Sequence, residues 1–218
     1  MTEEIQEHEL PVEPIEPKKF SPFYKFVAAF SAAVLFILSI EGYFYLIHPE
    51  PKVKLTLADI QTFLPTNLKE PFTSHNSNEL KQVVTESSDT IKQIANRIAS
   101  DSCRKADPVC QSKALFYFVR DQINYVSDPT FHDKLENPLA TLKTGGADCE
   151  DMAVLVAAME KAIGNDARIV FIPGHAYAQV KIPDYKDQWL NMEATCKTCG
   201  FNQIPTDTLL GNKEFVEI

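Results

Sequence analysis

The chain has 218 residues, 44% of them hydrophobic, and a formal net charge of −9. That is enough apolar chain for one ordinary domain with appendages, and the acid excess excludes a nucleic-acid footprint, which needs a basic patch. Six glutamates and no lysine or arginine fall in residues 1–17, so the acidity is mostly a property of the N-terminal tail.

The first segment, residues 1–22, is rich in Glu and Pro and has no apolar period, which predicts a disordered, solvated tail. Next, residues 23–47 predict a transmembrane helix. The run from Phe26 to Ile47 is apolar except for Glu41 and a few serines, and a span takes about 20 such residues. Tyr24, Tyr43 and Tyr45 lie toward its two ends, where amphipathic rings favour the membrane interface. Lys18, Lys19 and Lys25 precede the span and Lys52 and Lys54 follow it. This excess predicts a cytoplasmic N-terminus and a single-pass protein with its folded part outside the cytoplasm.

Residues 48–78 contain scattered prolines and the polar patch TSHNSNE, and read as a linker with one short ordered piece around VKLTLADIQTFL. Residues 79–218 are then the folded domain. Ile91, Ile94, Ala95, Ile98 and Ala99 recur at helical spacing. A second helix is predicted from Pro108 to Ile123, with Leu115, Phe118 and Val119 on its apolar stripe. A long loop rich in Asp, Pro and Gly follows, from Asn124 to Asp148. A third helix starts at Cys149 and ends near Gly164, a residue suited to the left-handed position after a helix. The period then becomes two, and ARIVFI, GHAYAQVKI and QWLNME read as an antiparallel meander. Helices followed by such a meander predict an α+β fold.

Three residues of this pattern carry chemistry. Cys149 opens a helix, His175 opens the second strand and Glu193 ends the third. Free N–H groups at a helix start favour a thiolate, a nearby imidazole can move its proton, and a carboxylate can orient that imidazole. Adjacent strands bring His175 and Glu193 side by side if both face the helix. Gly145 and Gly146 let the backbone approach a substrate closely. Asp148, Glu150 and Asp151 flank the cysteine; acids in a first turn support the helix but oppose a neighbouring thiolate. Asp148 and Asp151 are therefore expected to cap the helix and hold the loop, not to take part in catalysis.

The stretches GGADCEDMAVLVAAMEKAIGNDARIV, GHAYAQV and WLNMEAT, in that order, resemble the transglutaminase-like superfamily in its archaeal and bacterial papain-like branch. The resemblance covers Ile91 to Thr195. It implies a papain-like core of helices packed on a small antiparallel sheet and a thiol nucleophile that carries an acyl group. It also implies a Cys149–His175–Glu193 triad, with Glu193 where many members have Asp. The enzyme would be a cysteine acyltransferase, protease or amidase acting on a peptide or protein at a membrane, with no cofactor required. Two other classes compete: a non-catalytic, membrane-tethered interaction module on the same fold, and a metal- or redox-responsive domain. The latter would use Cys103, Cys110, Cys196 and Cys199, whose pairing allows two disulfides or one structural zinc site.

Overall fold

A computed structural model describes residues 21–47, 49–66, 77–104, 106–128, 135–186, 188–206, 208 and 211–218. The expected disordered tail, apart from its last two residues, and the TSHNSNE patch, apart from its last three, lie outside the described residues. The chain divides into two units, residues 1–47 and 48–218.

The first unit contributes α1 (Pro22–Ile47), a helix of 26 residues. At about 1.5 Å per residue it is longer than the hydrocarbon thickness of about 30 Å. Its segment Pro22–Ile40 has a mean hydropathy of 2.0. By length and composition α1 is able to cross a membrane.

The second unit begins earlier than the sequence suggests. Val53, Leu55 and Leu57 pack against the core, and α2 (Leu57–Gln61) buries Ile60. The expected linker is thus partly built into the domain, because its apolar residues alternate through Leu57 and then enter a capped helical turn. Thr56 and Asp59 form that capping box, each binding the other's backbone amide. The Lys52 amide also donates to the Ser102 carbonyl at 3.1 Å.

Helices α3 (Ser77–Ser102) and α4 (Pro108–Gln122) bury the predicted stripes, including Ile91, Ile94, Ile98, Leu115 and Phe118. Asp107 caps α4 through the Val109 and Cys110 amides. Helix α6 (Cys149–Ala162) is buried on all sides from Met152 to Met159. Such a helix must be covered on both faces. Here α3, α4 and α5 (Pro138–Thr144) pack against it on one side, and β3 (Asp166–Ile172) and β4 (His175–Lys181) on the other. Near its end lies a buried acid the apolar pattern hides. Glu160 Oε2 accepts from Ser112 Oγ and Asn165 Nδ2, both at 2.8 Å, and burial pushes its carboxyl up to about 7.

The loop before α6 is partly ordered: β1 (Asn124–Tyr125) pairs in parallel with β2 (Gly146–Ala147), and α5 lies between them. Two-residue strands leave too short a pattern for periodicity to register. The meander also gains a strand. Among the described residues the sheet order is β5 (Trp189–Met192), β4, β3, β6 (Glu214–Glu217), antiparallel throughout. The last strand returns from the C-terminal segment to cover the free edge of β3, and only one of its residues, Val216, is buried.

Gly145 terminates α5 with φ +73°, and a Cβ there would lie 2.6 Å from Leu57 Cδ2. A left-handed non-glycine residue costs about 1–2 kcal/mol before that clash is counted. Gly145→Ala is therefore expected to lower the unfolding free energy by about 1–2 kcal/mol, read as a lower denaturant midpoint at an unchanged slope. An unaltered midpoint would show that α5 ends differently.

Candidate active site

The site forms where the start of α6 meets the start of β4 and the end of β5. Asp148 is the N-cap of α6, and its Oδ1 accepts from the Asp151 amide at 3.1 Å. The cap therefore does not use the Cys149 N–H. Asp151 Oδ1 reaches back to the Glu136 amide at 2.7 Å. Asp148 thus closes the helix start and Asp151 holds the loop before it. Burial, more than the neighbouring acids, pushes the Asp151 carboxyl up to about 8. The carboxylate oxygens of Asp148, Glu150 and Asp151 lie within 4.8 Å of one another.

Cys149 is a free, partly buried thiol. His175 hydrogen-bonds with it on one side. On the other side His175 Nε2 donates to Glu193 Oε2 at 2.7 Å. The Cys149 hydrogen bond first, then that of Glu193, raise the His175 pKa to about 10 against the opposing effect of burial. The ring is therefore held as a cation near neutral pH. The Glu193 side chain is 1% exposed and that of His175 24%. A nearly dry carboxylate beside a half-open imidazole orients the ring more firmly than an exposed pair does.

The register explains how they meet. Ala178 pairs with Met192, so continuing the ladder sets Tyr177 opposite Glu193 and places Glu193 diagonally across from His175. Glu193 is one residue past β5. The core-facing residues of these strands are Ala176, Ala178, Val180, Leu190 and Met192. His175 and Glu193 thus have the other parity, so they do not meet by facing the helix from within their strands. End positions free them from the pleat, and there His175 meets both Glu193 and Cys149. Tyr177, buried, stacks beside His175 with ring centroids 6.4 Å apart.

Sequence reasoning missed Thr195. Its amide and its Oγ1 both donate to Glu193 Oε1, at 3.2 and 2.6 Å. The available signal was a hydroxyl two residues after an acid, a common local turn. The glycines also serve differently from expectation: Gly145 makes room for Leu57, and Gly146 pairs with Asn124.

The remaining cysteines form two disulfides, Cys103–Cys110 and Cys196–Cys199. Both pairs are closed, so they have no thiolates to offer zinc, and the structural zinc alternative is set aside. Cys196 borders a cavity of about 490 Å³ together with Ile172, Pro173, His175, Glu193 and Pro205. The cavity thus opens on the imidazole and carboxylate side of the site.

Residues 92–194 match the family model described as the transglutaminase-like superfamily, a segment that holds Cys149, His175 and Glu193. Similar solved structures include a proposed protease from Parabacteroides distasonis, at 13% identity and a TM-score of 0.43 over 59% of this chain and 30% of that one. A proposed cysteine protease from Cytophaga hutchinsonii has 16% identity and a TM-score of 0.42 over 63% of this chain and 53% of that one. Legionella pneumophila LapG has 18% identity and a TM-score of 0.40 over 67% and 75%. The chain thus spans less than a third of the Parabacteroides protein and about half of the Cytophaga protein. No curated protein matches the chain. Residues 92–194 thus resemble the transglutaminase-like superfamily, and the fold that holds them is of that kind, helices packed on a small antiparallel sheet.

Proposed function

We propose that this protein is a membrane-anchored cysteine enzyme that takes an acyl group from an amide of a peptide or protein through a thioester on Cys149. The observation that carries the reading is the pair of contacts on His175, with Cys149 on one side and buried Glu193 at 2.7 Å on the other. An imidazolium beside a sulfur favours the charged nucleophile.

In this reading the Cys149 sulfur attacks the amide carbon, a C–S bond forms and the carbonyl electrons move to oxygen. The Cys149 amide at the start of α6 is a candidate donor to that oxyanion. Collapse breaks the C–N bond while His175 gives its proton to the leaving amine. Water or a second amine then attacks the thioester carbon with His175 accepting the proton, the C–S bond breaks with its electron pair returning to the Cys149 sulfur, and the acid or new amide leaves. Glu193 holds the ring in one orientation throughout and stabilises its charge. These steps need three side chains and the substrate, and no cofactor.

The organisation that goes with this reading is an N-terminal tail to residue 22, a spanning helix over 23–47, a connection over 48–78 and the domain over 79–218, with part of the connection packed on the domain. The lysine excess on the N-terminal side of the apolar run that begins at Phe26, Lys18, Lys19 and Lys25 against Lys52 and Lys54, favours a cytoplasmic N-terminus. Two disulfides in the domain fit an oxidising compartment on the other side.

Incubating the full chain in detergent with acyl-donor peptides, with and without an added amine, tests the proposal. Wild type is expected to release amine from the donor, and Cys149→Ala to release none. Product formed equally by both proteins would remove Cys149 from the chemistry. The ratio of free acid to new amide assigns hydrolysis or transfer.

A further inference from the structure

We infer that Thr195 is a positioning residue that acts on the imidazole through Glu193, and that the Cys196–Cys199 loop ties this arm of the site to the arm that carries Cys149. The inference rests on the catalytic reading of His175 and Glu193.

A carboxylate at the end of a strand has two oxygens and free torsions. Alone, it can offer either oxygen to His175 or turn away. Thr195 removes that freedom. Its N–H and O–H both bind Oε1, at 3.2 and 2.6 Å, which leaves Oε2 committed to His175 at 2.7 Å. The short hydroxyl bond to an ionised oxygen belongs to the strong class. Both oxygens of a side chain that is 1% exposed are thereby satisfied, which a buried carboxylate requires.

The turn that presents Thr195 is itself anchored. The next residue opens the four-residue disulfide loop Cys196–Cys199. The Cys199 carbonyl accepts from Arg120 Nη1 at 2.7 Å. Lys197 Nζ donates to the Ile123 carbonyl at 2.6 Å and also to that of Arg120. These contacts fall on the end of α4. From there the chain enters β1, which pairs with β2, and β2 ends two residues before Cys149. One short loop thus joins the segment that aims Glu193 to the segment that leads to the nucleophile.

The test uses the full chain in detergent and the rate of Cys149 alkylation by iodoacetamide at neutral pH, with the His175 titration followed by ¹⁵N resonance. Thr195→Val is expected to slow alkylation about tenfold, the size of one lost hydrogen bond to a charged group. It is also expected to lower the His175 titration midpoint by about one unit. Thr195→Ser, which keeps both donors, restores both values. In a Glu193→Gln background Thr195→Val adds no further loss, because a residue acting through Glu193 has nothing left to position. Should Thr195→Val fail to fold, Thr195→Ala makes the same cut with less bulk. If His175→Ala slows alkylation but Thr195→Val leaves rate and titration unchanged, the positioning role is wrong and the catalytic reading stands. If His175→Ala leaves alkylation unchanged, the catalytic reading itself falls. Equal losses from Thr195→Val in the wild-type and Glu193→Gln backgrounds would also overturn the positioning role.

Discussion

His175→Ala is expected to reduce kcat/KM on an acyl-donor peptide by about 10²–10⁴-fold, the usual contribution of a positioned acid–base group. The loss should fall on kcat. His175 is half-buried and hydrogen-bonded with both Cys149 and Glu193, so its place is in proton transfer more than in substrate binding. Trapping of the thioester by rapid quench and mass measurement would show acylation slowed along with turnover. A reduction of less than about tenfold, or a loss confined to KM, would contradict the assignment of His175 as the acid–base group.

Glu193→Gln should come close to this effect, lowering kcat by up to about 10⁴-fold, as when an orienting carboxylate is neutralised in a catalytic triad. An amide keeps the shape but presents a donor or a weaker acceptor to Nε2 and loses the charge that favours the imidazolium. The same substitution has a signature in stability. His175 has a folded pKa raised to about 10, against an unfolded value of about 6.5. A raised pKa means that the folded state holds its proton more tightly. The resulting stabilisation is fully present below about pH 6.5 and is lost as pH rises through about 10. With Glu193 neutral, one of the two contacts that raise the pKa disappears and the stabilisation shrinks. Wild type should therefore melt above Glu193→Gln near pH 6, with the gap closing between about pH 7 and 10. A gap that stays constant over that window would show that His175 and Glu193 are not coupled as described.

These two side chains also mark how far a one-dimensional reading reaches. Cys149, His175 and Glu193 were all legible, because each sits beside a change of pattern: a glycine pair giving way to a helix, a Pro-Gly turn giving way to a strand, and a strand running out into a Cys-rich turn. The stripes of α3 and α4 and the capping acids of α6 were legible for the same reason, since period and caps are local. Thr195 was quoted as part of its motif yet carried no role, because its importance lies in which oxygen of Glu193 it occupies. The face on which His175 lies stayed open in the sequence, because alternation describes the middle of a strand and says little about its first residue.

What the sequence by itself determined is the order of the main helices and of the three-stranded meander, the long apolar helix before the domain, the buried helix with a thiol at its start, and the three side chains, Cys149, His175 and Glu193, on which the proposed chemistry rests. All of these follow from short-range periodicity and from residue chemistry. What only the tertiary structure decided is everything set by contacts between distant segments. The β6 strand reaches β3 from more than 40 residues away. The stretch before α3 turns from linker to core only because Leu57 and Ile60 find the α5 side of the domain. The choice of two disulfides over one zinc site depends on which sulfurs meet. So does the anchoring of the Glu193 turn to the end of α4, since a hydrogen bond across 79 positions leaves no trace in either segment alone.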